Sequence, residues 1–230
     1  MKEILIESEE NKKWKDSLFD VKYIFEKHKI NYWLDEGTLV GALRSGTFIP
    51  WDNDIDLAIL EEEKPKIIKS FNELKTKNFF VRHQKEKNHI SFYRNDTKID
   101  INIYIDSDIY NTNNNKSKII TLTRWWNRRS IIGRALDKTM EVCHRFPIVA
   151  KILFPLYVLF ADPETIAIEK NIMTEFQKIK FLGKTFKVPK RATEYLRFRF
   201  GSDWKVPKHK GKIVEEWNGV KYGKNKYISS

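Results

Sequence analysis

Cysteine is all but absent. Cys143 stands alone in 230 residues, so no disulfide can form within the chain. A single thiol fits a reducing compartment. No catalytic partner accompanies Cys143, which reads as a small buried residue. No secretory leader is expected either. The opening MKEILIESEENKKWKD turns acidic and polar before an apolar h-region can build up, so a cytoplasmic location is expected. Long apolar runs are scarce. Phe146 to Phe160 is interrupted by Pro147, Lys151 and Pro155. As a helix it would cover about 22 Å, short of the roughly 30 Å hydrocarbon core, which excludes a spanning helix. Acidic residues are outnumbered, 31 against 43 basic ones, giving a net charge of +12. That excess favours anionic partners: nucleic acid, acidic lipid headgroups or phosphorylated substrates. No RNA-binding motif is visible, so nucleic acid is not expected. His28, His83, His89, His144 and His209 do not cluster with cysteine or carboxylates at metal spacing. They read as solvated or structural, with an acceptor-side role open for His83 and His89.

What is present concentrates in Tyr32 to Leu60. Gly37-Thr38 opens a small-residue stretch reaching Gly41. Asp52, Asp54 and Asp56 then alternate with Asn53, Ile55 and Leu57. Alternate side chains of a strand share a face, so Asp54 and Asp56 lie together while Ile55, Leu57 and Ile59 face a core. Paired carboxylates repel unless a cation lies between them, and oxygen-only ligands suit Mg²⁺ or Mn²⁺. A solvated acidic face is the plain alternative. A calcium loop beginning at Asp52 would place Glu63 at its last ligand position, but it needs glycine where Leu57 stands. A helix N-terminus after Gly37 would offer backbone N–H groups to phosphate, and Gly37 lets backbone approach closely. Arg44 is either a phosphate ligand or a surface charge. Trp51 is expected to pack under the site.

Hydrophobic spacing sets the remaining elements. Trp14, Leu18, Val21 and Phe25 mark a helix over 10–29. A strand is expected at 31–34 and a short helix at 39–44. Pro65 begins a helix over 62–77, followed by strands at 79–82 and 90–93. In Lys98 to Ile105 the isoleucines form one face, and Asp100, Asn102 and Tyr104 the other. Residues 106–118 are polar and Asn-rich and read as a mobile loop. Residues 119–160 interleave Arg124, Arg128, Arg129, Arg134, Lys138 and Arg145 with Trp125, Trp126 and aliphatic residues. They read as a basic, aromatic helical insertion. It either lies at an anionic membrane surface or packs on the catalytic core. Asp162-Pro163 is expected to start a helix with a stripe of Ile168, Ile172, Phe176 and Ile179. A strand at 185–188 and a helix from Pro189 to Phe200, stopped at Gly201, complete the pattern. The Lys-rich tail after Lys208 reads as solvated charge. The divisions expected are a catalytic core at 1–118, the insertion at 119–160 and a helical C-terminal part at 161–230 completing the same domain.

WLDEGTLVGALRSGTFIPWDNDID resembles the signature of the LicD family of phosphocholine and fukutin-type ribitol-phosphate transferases. That family belongs to the nucleotidyltransferase superfamily, marked by Gly-Ser/Thr and then Asp-x-Asp; here these are Gly37-Thr38 and Asp54/Asp56. FKVPKRATEYLRFRFGSDWKVP resembles the family's C-terminal pattern, with Phe200 in place of Tyr and Ser202 inserted. Ser45 stands where many members have His, and Asn53 where Asp is common. These departures bear on the substrate pockets, not on the fold.

The resemblance implies an α/β (α+β) nucleotidyltransferase-like domain, a small mixed sheet flanked by helices with a helical insertion. It implies a third carboxylate on a neighbouring strand. Asp100 is the candidate, since aspartate is unfavourable in a strand for structure alone; Asp96, Asp106 and Asp108 sit in turn-like surroundings. Asp54, Asp56 and Asp100 would hold Mg²⁺ or Mn²⁺, and Asp100 would also serve as proton acceptor. Gly37, Thr38 and Arg44 would hold donor phosphates, with Asp52 on the substrate side. The implied donor is a CDP-activated alcohol such as CDP-choline. The implied acceptor is a hydroxyl of a cell-surface glycan or its lipid-linked precursor, and CMP is released. The chain would then work in the cytoplasm, peripheral on the inner face of the membrane. The residues alone also admit a nucleotidyltransferase releasing pyrophosphate, an antibiotic-modifying or toxin enzyme, or a membrane-surface binding module.

Overall fold

The computed structural model describes residues 9–84, 89–110, 116–126 and 162–207. Helix α1 (Glu9–Lys27) leads through a turn into strand β1 (Tyr32–Leu34) and helix α2 (Glu36–Arg44). Strand β2 (Ile55–Leu60) follows, then a 3₁₀ turn (Glu61–Glu63) and helix α3 (Lys64–Thr76). Strands β3 (Phe80–Gln84), β4 (His89–Arg94), β5 (Thr97–Tyr110), β6 (Lys116–Trp126) and β7 (Asp162–Glu169) come next. A short helix α4 (Lys170–Thr174), strands β8 (Phe176–Phe181) and β9 (Lys184–Pro189), and helix α5 (Ala192–Phe200) complete the order.

A seven-stranded mixed sheet forms the centre. Five strands run in the order β1-β2-β5-β4-β3, and β6 joins the far half of β5 with β7 outside it. β2 and β5 are parallel, with Asp56 opposite Asp100; the other pairings are antiparallel. β8 and β9 make a separate two-stranded sheet.

The period-two isoleucines explain the central strands. Ile55, Leu57 and Ile59 of β2 and Ile99, Ile101 and Ile103 of β5 are all buried. They pack in one core with Trp14, Leu18, Val21 and Phe25, the apolar stripe of α1. Each such side chain contributes about 1.5–3 kcal/mol on burial. Helix α2 is buried over most of its length, Glu36 to Ala42. A Cβ on Gly41 would lie 2.5 Å from the Thr47 carbonyl oxygen, so glycine there lets residues 47–49 close against the helix.

Several expectations are corrected. Residues 106–110 are not loop but the end of β5, and 116–118 begin β6. Residues 119–126 of the expected helical insertion are strand, paired with β5 and β7. Asp162-Pro163 opens β7, not a helix. The stripe of Ile168, Ile172, Phe176 and Ile179 is divided among β7, α4 and β8. Cap chemistry and four-residue spacing are local preferences, and the β5–β6–β7 ladder, which pairs backbone along β6 and β7, overrides them. The rest of the insertion (127–160), Cys143, His144, His209 and the tail from Lys208 lie outside the described residues. Among the described residues, no helix is long and apolar enough to cross a membrane.

Candidate active site

The parallel pairing of β2 and β5 builds one polar face. Equal register places Asp56 beside Asp100 and Ala58 beside Asn102, and the two-residue period brings Asp54, Lys98 and Tyr104 to the same side. Asp56 and Asp100 are 8 % exposed. Lys98 Nζ lies 2.7 Å from Asp100 Oδ2 and 3.3 Å from Asp54 Oδ2, so one ammonium bridges two of the three expected carboxylates. Burial alone would raise the Asp100 pKa, but the charges of Lys98 and His89 outweigh it and hold the carboxyl well below the usual carboxylate range. Burial would likewise lower Lys98, yet Asp100 and Asp54 push it well above the ordinary lysine value. His89 Nε2 approaches Asp100 Oδ1 at 3.7 Å.

The start of α2 is fastened to this face. The Asp56 N–H donates to Thr38 Oγ1 at 2.9 Å, and the Asp35 N–H donates to the Asp56 carbonyl at 3.1 Å. Thr38 therefore holds the backbone of the residue that carries the carboxylate. A Cβ on Gly37 would lie 2.3 Å from Asp52 Oδ2; the glycine admits the Asp52 carboxylate against the helix start. Arg44 sits at the other end of α2, with its guanidinium 5.8 Å from the Trp51 ring centroid. Burial lowers its pKa. The expected phosphate-side residues thus divide into Gly37, Thr38 and Asp52 at one end of the helix and Arg44 with Trp51 at the other. Glu63, the last position of the rejected calcium loop, accepts hydrogen bonds from the Asn31 N–H and Lys66 Nζ.

A second acidic pair went unread in the sequence. Asp35 is fully buried and Glu36 is 2 % exposed. Asp35 Oδ2 accepts from Asn102 Nδ2 at 2.9 Å and from the Tyr104 hydroxyl at 3.1 Å. The Tyr195 hydroxyl lies 2.8 Å from Asp35 Oδ1 and 2.9 Å from Glu36 Oε1. Arg199 Nε pairs with both oxygens of Glu36, at 2.9 and 3.1 Å. Asn102 Nδ2 also reaches Asp56 Oδ1 at 3.2 Å, joining the two acidic groups. Glu36 has φ +43°, a left-handed conformation that costs a non-glycine residue about 1–3 kcal/mol and concentrates at functional sites. Burial, first of all, pushes the Tyr195 hydroxyl well above its ordinary pKa, so it stays a neutral donor. The signal in the sequence was two consecutive carboxylates placed between an apolar strand and a glycine-led helix.

Asp100 Oδ1 is buried and accepts no hydrogen bond, with His89 Nε2 3.7 Å away; a hard divalent cation would satisfy such an oxygen. As they stand, no three His, Cys, Asp or Glu side chains among the described residues close around one point, and Lys98 lies between Asp54 and Asp100.

A mixed sheet carrying carboxylates on paired parallel strands, with a Gly-Thr helix start fastened beside them, defines an α+β domain of nucleotidyltransferase type. The chain belongs to the LicD/FKTN/FKRP nucleotidyltransferase-domain family, whose model matches residues 29–158. Among curated relatives, the lipopolysaccharide cholinephosphotransferase LicD of Haemophilus influenzae is 46% identical over 43 residues, 19% of this chain and 16% of that protein. The ribitol 5-phosphate transferase FKRP of Homo sapiens is 48% identical over 40 residues, 17% of this chain and 8% of that protein. The ribitol-5-phosphate transferase FKTN of Mus musculus is 28% identical over 182 residues, 77% of this chain and 30% of that protein. The matches thus span less than a third of each of these relatives. A crystal structure of ANT(2")-Ia with adenylyl-2"-tobramycin superposes with a TM-score of 0.31 at 16% identity, over 38% of this chain and 48% of that one. A likeness that slight carries no weight.

Proposed function

We propose that the chain is a phosphotransferase that moves a phospho-alcohol from a CDP-activated donor to a hydroxyl of a cell-surface glycan or its lipid-linked precursor, releasing CMP. The observation that carries this reading is the side-by-side placement of Asp56 and Asp100, with Asp100 Oδ1 buried and accepting no hydrogen bond, within a family whose named relatives are transferases of phosphocholine and ribitol phosphate.

Asp54, Asp56 and Asp100 would hold Mg²⁺ or Mn²⁺ once Lys98 moves aside. Such an ion would neutralise charge on the donor diphosphate and set the line of attack. Lys98, freed from the carboxylates, would remain as a cation beside the incoming phosphates. Asp100, kept ionised, suits a ligand better than a base. Gly37 and the backbone of the α2 start would lie against the donor, with Asp52 beside them and Arg44 over Trp51 as an outer phosphate contact. In the transfer the acceptor oxygen bonds to the phosphorus, the bond to CMP breaks, and the acceptor proton leaves to a carboxylate or solvent. A lipid-linked acceptor would bring the protein to the inner membrane face, where its +12 charge would favour anionic lipid.

The test is incubation with Mg²⁺, a panel of CDP-alcohols and nucleoside triphosphates, and glycan extract, reading CMP and pyrophosphate separately. CMP from one CDP-alcohol, lost in Asp56→Asn, is expected. Pyrophosphate from a triphosphate would replace this reading by nucleotidyl transfer.

A further inference from the structure

We propose that helix α5 is a working part of the transfer site, in which Tyr195 acts as a positioning residue on Asp56 through Asp35 and Asn102. This rests on the reading of Asp56 as a site carboxylate. Helix α5 lies beyond residues 29–158, the span that the family model matches. Its side chains nevertheless reach the centre of the domain.

The connection can be followed atom by atom. Arg199 grips both oxygens of Glu36. The Tyr195 hydroxyl shares its one proton between Glu36 Oε1 and Asp35 Oδ1. Asp35 Oδ2 accepts from Asn102 Nδ2, and the same amide nitrogen reaches Asp56 Oδ1. A primary amide has two N–H donors. One is spent on each carboxylate, so the orientation of the Asn102 amide follows from its two acceptors. That donor gives the Asp56 carboxylate a contact of set direction at Oδ1. Tyr104 closes the ring, donating to Asp35 Oδ2 and lying 3.3 Å from the Tyr195 hydroxyl.

A core needing only stability would fill this volume with apolar side chains, since buried ion pairs seldom outperform hydrophobic packing. Here Asp35, Tyr104 and Tyr195 are fully buried and Glu36 nearly so, and the network ends on a carboxylate of the polar face. Partners outside a ligand set tune the ligands they hold, and losing one lowers metal affinity or activity about 10–100-fold.

Tyr195→Phe removes one oxygen and keeps the ring. Asn102→Leu removes the amide at similar volume. Both are made in the full chain and compared with wild type for thermal melting, Mn²⁺ affinity by electron paramagnetic resonance, and kcat and KM of CMP release. Cooperative melts are expected, with Mn²⁺ affinity and kcat down roughly tenfold or more and donor KM nearly constant. A lower Tm with unchanged kcat and Mn²⁺ affinity would make the network scaffolding and overturn the proposal. A rise in KM alone would overturn it too, by making it a donor contact. If Asn102→Leu does not fold, Tyr195→Phe decides. If the wild type releases no CMP from any CDP-alcohol, the donor reading fails by itself. Mn²⁺ affinity then decides the present proposal: a loss in the variants supports it, and equal affinity sinks it.

Discussion

Arg199→Met isolates the energetics of the buried acid pair. Arg199 and Glu36 side chains are 6 % and 2 % exposed, and the guanidinium Nε lies within 3.1 Å of both carboxylate oxygens. Removing one partner of a buried pair leaves a charge without compensation, at about 3–5 kcal/mol. The Tyr195 hydroxyl still reaches Glu36 Oε1, which places the expected loss at the low end, about 3 kcal/mol. At about 2–4 °C per kcal/mol for a chain of this size, Tm should fall by about 6–12 °C. Methionine keeps most of the apolar stem of arginine, which limits the packing lost. Differential scanning calorimetry on wild type, Arg199→Met, Glu36→Gln and the double variant gives the full cycle. Glu36→Gln in the Arg199→Met background removes the stranded charge and should restore about half of the loss or more. The reasoning fails if Arg199→Met loses less than about 1 kcal/mol, the behaviour of a solvent-screened surface pair.

Three further outcomes are expected. Lys98→Met should destabilise the protein at neutral pH, because Asp100 and Asp54 lose their shared cation. Asp100 has a depressed pKa in the folded wild type, so its contribution is full above the unfolded value of about 3.9 and is lost progressively as pH falls from there towards the lower folded value. The gap between wild type and Lys98→Met, read by urea unfolding, should therefore narrow as pH drops towards and below about 4. Gly41→Ala should cost about 1–3 kcal/mol, since its Cβ meets the Thr47 backbone oxygen. Gly37→Ala should cost less, because it meets only the end of the Asp52 side chain; its effect should appear in donor KM, and an unchanged KM would remove Asp52 from the substrate side.

The sequence revealed the parts of the site governed by local periodicity. Asp56 and Asp100 were legible because a period of two divides carboxylates from isoleucines within each strand. Their pairing was only implied by resemblance, since register between strands is not written locally. Asp35 and Glu36 were passed over because their partners lie far along the chain: Tyr195 and Arg199 sit one turn apart on α5, and nothing in that helix announces a carboxylate some 160 positions earlier. β7 was misread because Asp162-Pro163 has the chemistry of a helix start and Ile168 and Ile172 fall four apart. The competing signal, Ile166 and Ile168 alternating with Thr165, Ala167 and Glu169, was weaker alone and became decisive only once β6 lay alongside. The same holds for β6, whose two tryptophans and Arg124 masked the alternation of Ile120 and Leu122.

The parallel register of β2 and β5 also sets which insertions and deletions the gene can tolerate. The connection between them, residues 61–96, carries α3, β3 and β4. Extra residues in its turns lengthen a loop, and doubling a flexible loop costs only about 0.6 kcal/mol. One residue gained or lost inside β5 before Asp100 is another matter. It turns Asp100 to the isoleucine face and an isoleucine to the carboxylate face. Drift in chain length is therefore tolerated in the turns of this segment and disabling in β5 ahead of Asp100.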